Sequence, residues 1–444
     1  MEFQLSWIAW VSIFVLTTGG ARAQLNGDSG KVHLKTGISS RLYDQDLVAR
    51  FYQLNQQELF WFQPSKPSSS IRQTLLCAID SSEICGLNKN DYHYSDLNVL
   101  MNQSFSVADS LQAKEADRVF TDAAIRLCRD LYCGKGIASW ISADGISNKF
   151  LDKDNLHILQ GILASTSPIK FSEFLHSLEP GNKEYGFLAS ELRDRLQSND
   201  STALRRLVPA INHYRWINHF HLGQFIIVNV PGATLSYYDR DTLRLKMKTV
   251  LGKPSTPTPR FAAYCNQIIL YPYWNVPRKI AVNELLPMFK LNPSLVDSMN
   301  MQVVDKQGKI LDPLKIKWSK YNKENFPYLI RQSTGCDNAL GVVKFNLTSP
   351  YDVYMHDTNF KPAFLSDFPY YSHGCIRLEL PIALANFILR NRIDPTFLES
   401  CLKNQSPVNM QLDQPVPVFV VYMLAGTDET GKVSYFRDVY RLLK

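Results

Sequence analysis

The sequence lacks any concentration of one charge sign. Lys and Arg number 48 against 41 Asp and Glu, a net charge of +7 over 444 residues. That excess is spread along the chain, so it does not form the basic patch of a nucleic-acid binder. A weakly anionic polymer would suit it just as well. Long apolar runs are also scarce: beyond the N-terminus the longest is Val416 to Ala425, strand-length and well short of the ~20 residues of a membrane helix. No Cys-x-x-Cys pair is present to hold structural zinc. Neither His-Glu-x-x-His nor Gly-x-Ser-x-Gly occurs, which leaves zincin and α/β-hydrolase chemistry without a foothold. Gly426 to Lys432 nearly spells a phosphate-binding loop, but Val433 replaces the required Ser or Thr and a strand follows instead of a helix. That segment reads as a hairpin turn. No internal repeat is apparent.

What is present is an ordinary globular composition, 45% hydrophobic and 20% charged, able to build a core. At the N-terminus, Leu5 to Leu16 is a twelve-residue apolar run followed by Thr17-Thr18-Gly19-Gly20 and Ala21-Arg22-Ala23. That is the pattern of a secretory signal peptide cleaved after Ala23, although Met1 to Gln4 carries no Lys or Arg. The alternative is an uncleaved anchor or a buried N-terminal helix. Export to the periplasm, with no membrane span left after cleavage, is the expectation. Eight cysteines (77, 85, 128, 133, 265, 336, 375 and 401) are compatible with disulfides in an exported chain. Cys77 with Cys85, or Cys128 with Cys133, is close enough to bridge locally; buried free thiols fit equally well.

From about Ser40 to His221 apolar residues recur at three- and four-residue steps, as in Ala116 to Leu131, and predict helices. Pro64 to Ser70 and Ser198 to Ser201 read as loops. After Gly223 the character changes to short β-branched and aromatic strands: Phe225 to Val230, Leu243 to Val250, Asn266 to Leu270 and Val353 to His356. Val416 to Leu424 and Lys432 to Tyr440 are expected to form a final hairpin. Between Pro277 and Pro327 the strand pattern lapses into helical and polar segments, read as an insertion. The expected fold is α+β: residues 1–23 a signal peptide, 24–222 a helical domain, 223–444 a β-rich domain with an insertion near 278–327.

The chemically informative segment is Tyr354 to Arg377. His356 ends a strand, Asp357-Thr358 follow, and Cys375 comes nineteen residues later within Ser372-His373-Gly374-Cys375-Ile376-Arg377. Gly374 permits a tight turn, and a helix is expected from Pro381. A nucleophilic thiol needs a lowered pKa and a histidine in reach. His356 and His373 are both candidates, and the N–H groups of the Gly374–Cys375 turn could hold an oxyanion. A metal site of His356, His373 and Cys375 lacks a fourth ligand, and His219-x-His221 lacks a third. A buried inert cysteine is the bland alternative. Spacing alone names no substrate.

These residues resemble the active-site motif of L,D-transpeptidases with a YkuD-type catalytic domain. Tyr273-Trp274-Asn275-Val276-Pro277, Gln332-x-x-Gly335-x-x-Asn338-Ala339-Leu340-Gly341, Lys344-Phe345 and Val228-Asn229-Val230-Pro231 are similar to the larger YcbB-like subgroup. So are Gly86-Leu87, Asp91-Tyr92-His93 and Phe120-Thr121-Asp122-Ala123 in the helical half. The resemblance implies a helical scaffold domain, then a β-rich YkuD domain with an inserted lid. It implies Cys375 as nucleophile and His356 as base, oriented by the backbone at Asp357, with His373 and Gly374 supporting. It offers Arg377, Asn338 and Ser372 for placing substrate; bracing the turn suits Arg377 and Asn338 equally. The reaction implied is 3→3 cross-linking of peptidoglycan stem peptides through a cysteine thioester on a tetrapeptide, releasing D-Ala, with no metal or organic cofactor. Water, a D-amino acid or a protein amine are other acceptors, other cell-wall enzymes are possible partners, and a non-catalytic wall-binding scaffold is the rival class. The sequence departs from the family at Asn359, where Pro is common, at Pro369, where Arg is common, and at Ser333-Thr334, which replaces a usual Pro. The peptidoglycan-binding module expected near residues 180–213 has no recognisable signature.

Overall fold

A computed structural model describes residues 42–63, 68–101, 103, 105, 110–136, 146, 152–402, 405–428 and 430–443. The signal-peptide segment, residues 1–23, lies outside them. Among the described residues no helix is long and apolar enough to cross a membrane. The chain divides into two compact units.

The first unit is helical. It holds helices Gln45–Leu54, Ser68–Asp80, Tyr94–Met101, Ser110–Cys133, Asp152–Ala164, Pro168–Ser177, Lys183–Gln197 and Ser201–Asn218. Local chemistry starts several of them. Asp44, Ser167, Asn182 and Asp200 each accept a backbone N–H from the first turn, and Pro168 follows its cap at a position where the missing N–H costs nothing. Helix Ser110–Cys133 is the axis of the core. Its Asp117, fully buried, accepts N–H bonds from Phe60, Trp61 and Phe62 and the hydroxyl of Tyr52. Asp122 pairs with His93 at 2.7 Å, and Tyr92 donates to Asp130 at 2.8 Å. The polar motif residues Tyr92, His93 and Asp122 of the helical half are therefore staples between its elements. The loop expected through Ser70 is shorter, because Ser68 already opens a helix.

One C-terminal segment packs with these helices. Residues 423–436 belong to the helical unit, where β14 (Ala425–Thr427) and β15 (Val433–Tyr435) pair as a hairpin. Asp428 caps its turn through the N–H groups of Thr430 and Lys432, which is the hairpin reading of the near-phosphate loop. The ring of Phe187 lies where a side chain at Gly431 would project, and Tyr435 donates to Glu191 at 2.9 Å. The expected partner of the Val416 strand was this region; instead that strand pairs elsewhere.

The second unit is a closed sheet. Its strands are β1 (Gln224–Asn229), β2 (Thr234–Asp239), β3 (Thr242–Gly252), β4 (Phe261–Leu270), β9 (Val343–Leu347), β10 (Met355–His356), β11 (Tyr370–Ser372), β12 (Ile376–Leu378) and β13 (Val408–Val421). They run in the order β11-β3-β12-β10-β9-β4-β13-β1-β2, and a further pairing of β2 with β3 closes the ring. Buried Ile226, Val228, Phe261, Phe345, Val418 and Val420 fill the inside.

The insertion is more β-rich than its sequence suggests. β5 (Trp274–Asn275), β6 (Met301–Val304), β7 (Ile310–Leu311) and β8 (Leu329–Gln332) form a sheet in the order β5-β8-β6-β7. Its own core gathers Val296, Val303, Phe289, Trp318 and Phe326. The helical run from Arg278 to Leu291 widens to a π-turn over Ala281–Leu285, where the Leu286 N–H reaches back to Ala281 O. Pro287 follows at once; with no N–H and a ring that crowds the preceding carbonyls, it forces that widening.

The cysteines also differ from the local pairing considered above. Cys336 and Cys401 form a disulfide across 65 residues, whereas Cys77, Cys85, Cys128, Cys133, Cys265 and Cys375 are free thiols.

Candidate active site

Three adjacent strands of the closed sheet build the site. Antiparallel β9 sets Lys344 opposite His356, and parallel β12 sets Arg377 opposite His356 on the other side. Their neighbours Phe345, Met355 and Ile376 are fully buried, so alternation along each strand sends Lys344, His356 and Arg377 out in a row on one face. The same period, carried one residue back beyond the starts of β10 and β12, brings Tyr354 and Cys375 to that face. Cys375 and His356 thus share a surface as diagonal neighbours.

The turn before Cys375 is tightly held. Gly374 has φ +123°, a conformation closed to residues with a Cβ. Ser372 donates to Cys375 O at 2.6 Å and accepts the Gly374 N–H at 3.1 Å, and Thr258 donates to Gly374 O. Two expectations change here. Ser372 is a buried brace of the turn and offers nothing to a substrate. The Gly374 N–H is occupied by Ser372, leaving the Cys375 N–H as the turn's donor for an oxyanion. Nor does Cys375 sit at a helix end: β12 intervenes, and the helix Pro381–Ile388 starts six residues later.

His356 is buried and its tautomer is set. Nδ1–H donates to the carbonyl of Asp357, so Nε2 holds the lone pair. Burial, then the charges of Arg377 and Lys344, hold the imidazole down to about 3. Cys375 is half-buried, and burial pushes its thiol up. Bonds from the N–H and hydroxyl of Tyr354 and the charges of Lys344 and Arg377 act against that rise. The resting pair is therefore neutral, a thiol beside an imidazole, where the sequence had suggested a lowered thiol. The thiol faces Asp352 O at 3.8 Å. Lys344 lies over the Tyr354 ring, 4.2 Å from its centroid. Burial lowers both Lys344 and Arg377, and Cys375 is the titratable neighbour that acts the other way on each. The Nε of Arg377 is buried without a hydrogen-bond partner.

A second layer fixes the base. Asp357 accepts the Val342 N–H at 2.9 Å and pairs with Lys361. Gly341, at φ +57°, leaves room for that carboxylate: a Cβ there would stand 2.1 Å from Asp357 Oδ2. Asn338 is fully buried, with its amide donating to Pro272 O and Ser333 O and its carbonyl accepting Leu340 N–H. It braces the loop beside the disulfide and has no atom to offer a substrate, so its expected binding role is withdrawn. Asn359, at the position where Pro is common, donates to Asp337 O in the same loop. His373 stands exposed on the turn, its Nε2 3.1 Å from Glu284 Oε1 of the insertion.

Sequence reasoning passed over Lys344, Tyr354 and Glu284 as site residues. The first two were findable: a lone Lys in an apolar strand, and a Tyr two residues before His356, share its face by period. Glu284 had no local signal, since only the tertiary fold of the insertion brings it to the turn.

Residues 223–416 match the family model of the YkuD L,D-transpeptidase catalytic domain, and residues 46–192 match that of a Scaffold domain. A Haemophilus influenzae protein named "Putative L,D-transpeptidase" is 30% identical over 289 residues, 65% of this chain and 58% of that protein. The chain thus spans under two thirds of this relative's length. Among solved structures, an L,D-transpeptidase from Mycobacterium smegmatis is 14% identical over 45% of this chain and 58% of its own, with a TM-score of 0.21. The catalytic domain of the E. faecium L,D-transpeptidase acylated by ertapenem is 15% identical over 45% of this chain and 97% of its own, with a TM-score of 0.22. Overlaps that slight carry no weight beside the family models. Residues 223–416 form an L,D-transpeptidase catalytic domain of the YkuD family, carried behind a helical Scaffold domain.

Proposed function

We propose that this protein is an exported peptidoglycan L,D-transpeptidase in which Cys375 is the nucleophile and His356 its base. The observation that carries the reading is the shared face: Cys375, a tautomer-locked His356 and two cations without carboxylate partners on three neighbouring strands. The donor would be a stem tetrapeptide, whose terminal carboxylate suits the Lys344–Arg377 pair. With that peptide in place, the thiol turns from Asp352 toward His356, since hydrogen bonds of resting sites commonly tighten on binding. Sulfur attacks the carbonyl of stem residue 3 as its proton leaves, and the developing oxyanion meets the Cys375 N–H. The neighbouring cations make an imidazolium short-lived, so the proton passes on to the departing D-Ala nitrogen. The resulting thioester is then opened by the amine of a neighbouring stem, giving a 3→3 cross-link. The Ala21-Arg22-Ala23 cleavage pattern supports export.

The test is incubation of protein lacking residues 1–23 with disaccharide-tetrapeptide, read by mass spectrometry. A dimer lighter by one D-Ala, absent with Cys375→Ala, is expected. D-Ala loss without dimer would make the protein a hydrolase. No product from a folded protein would leave the scaffold reading in its place, and dimer formation by Cys375→Ala would remove the nucleophile assignment.

A further inference from the structure

The charges around Cys375 are arranged asymmetrically. On the sheet side stand Lys344 and Arg377, both half-buried and facing His356. The opposite charge comes from the insertion, which contributes Glu284 to His373, two residues before Cys375 in the chain. Both are well exposed, 52% and 45% by side chain. The π-turn at Ala281–Leu285 is what carries Glu284, and such widened turns are frequent at functional sites. An acyl transfer to an amine needs two unlike entrances. The donor brings a carboxylate, whereas the acceptor arrives as an ammonium that must lose a proton before it can attack. The buried row of His356 with two flanking cations repels an ammonium. The Glu284–His373 pair attracts one.

We propose that Glu284 and His373 form the acceptor subsite, Glu284 anchoring the incoming ammonium and His373 taking its proton. The ligand class is a primary alkylammonium, such as the side chain of stem residue 3; the inference rests on the transpeptidase reading above. Nε2–H of His373 donates to Glu284, which leaves Nδ1 as the basic atom. The ammonium gives one proton to His373, and from there it passes to water. The free amine attacks the thioester carbonyl, the C–N bond forms and the C–S bond breaks. The second N–H proton reaches the departing Cys375 sulfur through His356, restoring the neutral thiol. The two histidines then divide the reaction: His356 serves acylation and the leaving sulfur, His373 prepares the acceptor.

The experiment separates the half-reactions. D-Ala release from the tetrapeptide in a single turnover reports acylation; the ratio of cross-linked to hydrolysed product reports aminolysis. Glu284→Gln is expected to leave the D-Ala burst within twofold of wild type and to lower the aminolysis ratio about tenfold, through a higher KM for the acceptor. With hydroxylamine, which is uncharged at neutral pH, the variant's deficit should vanish, because no ammonium needs an anchor. Glu284→Asp should recover part of the ratio with the alkylamine. An equal fall in D-Ala burst and cross-linking, or an equal deficit with hydroxylamine, would overturn the subsite and reduce the pair to a strut of the insertion. An unchanged ratio would overturn it as well. If wild-type protein itself releases no D-Ala, the transpeptidase reading fails first, and the two failures are distinct.

Discussion

Gly341→Ala should damage the catalytic unit more than its single methyl group suggests. Gly341 sits at φ +57°, and a Cβ would lie 2.1 Å from Asp357 Oδ2, 2.3 Å from its Cγ and 2.5 Å from its Cβ. Holding Ala in that left-handed conformation costs roughly 1–2 kcal/mol. The clash adds a second contribution, because Asp357 must move and its bond from the buried Val342 N–H is lost, about 1–3 kcal/mol for an unsatisfied buried donor. Gly308 is the internal control: its φ is +84°, but nothing lies within 4 Å of a Cβ there, so Gly308→Ala should carry the backbone part alone. Urea denaturation followed by a catalytic-unit probe should therefore place Gly341→Ala about 1–3 kcal/mol below Gly308→Ala. The double variant with Asp357→Gly removes the obstructing carboxylate together with the Cβ behind it, and the cycle should show a coupling of similar size. Because the carbonyl of residue 357 anchors His356 Nδ1–H, Gly341→Ala should also slow D-Ala release where Gly308→Ala does not. Equal destabilisation by the two substitutions, or strict additivity with Asp357→Gly, would refute the argument.

Acid should weaken the catalytic unit through His356. An unfolded histidine takes a proton near pH 6.5, whereas His356 in the fold resists protonation down to about 3. Between those values the unfolded chain binds the extra proton, so stability is lost as pH falls through the window, by at most on the order of 3 kcal/mol from pH 7 to 4. Stability curves of wild type and His356→Gln should converge toward pH 4; a gap independent of pH would show that His356 is not held neutral. For the disulfide, replacing both Cys336 and Cys401 by Ser opens a loop of 65 residues and should lower stability by up to ~4 kcal/mol on the chain-entropy account. Loss of protection at the amides of the Asn338 loop in hydrogen exchange should accompany it. An unchanged denaturation midpoint and exchange pattern would mean that the braces around Asn338 hold the loop without the cross-link.

The change from helix to strand at residue 223 was legible because the period of apolar residues changes there, from about 3.6 to 2, over segments long enough to count. The insertion was legible as an interruption but not as a sheet. β6 and β7 are four and two residues long, too short for alternation to declare itself, and the sheet's core depends on aromatic residues from distant turns. The final hairpin failed for a related reason. Val416 to Val421 is apolar on every residue because parallel β1 and antiparallel β4 flank it in the closed sheet; such a run names a central strand without naming its partners. The hairpin of 425–427 and 433–435 was hidden in the same stretch, and its turn was the part that the Asp and Gly residues gave away.

Within the site, what could be read was what the local chain specifies. Gly374 as the turn's hinge follows from the sequence around it, and so does the placing of His356 at the end of a strand; that Cys375 leads into strand β12 instead of a helix did not. The electrostatics could not be read locally, because they depend on register. Lys344 lies twelve residues from His356 in sequence, yet the β9–β10 pairing sets them opposite; shifting that register by one residue would send Lys344 into the core. The thiol's state turns on the same point. A cysteine beside histidines suggests an ion pair, but burial raises the thiol, and burial together with two cross-strand cations lowers the imidazole, so the proton stays on sulfur in the resting site. Ser372, and the substrate role weighed for Asn338 beside bracing, fell for the complementary reason. A polar residue near a nucleophile looks like a substrate contact in one dimension, and only burial shows that its hydrogen bonds already end on the protein's own backbone. Polar residues whose bonding capacity is filled hold the loops of this site, whereas Lys344 and Arg377, which have no carboxylate partner among the described residues, and the exposed Glu284, paired with His373, are the groups the proposals above assign to a ligand.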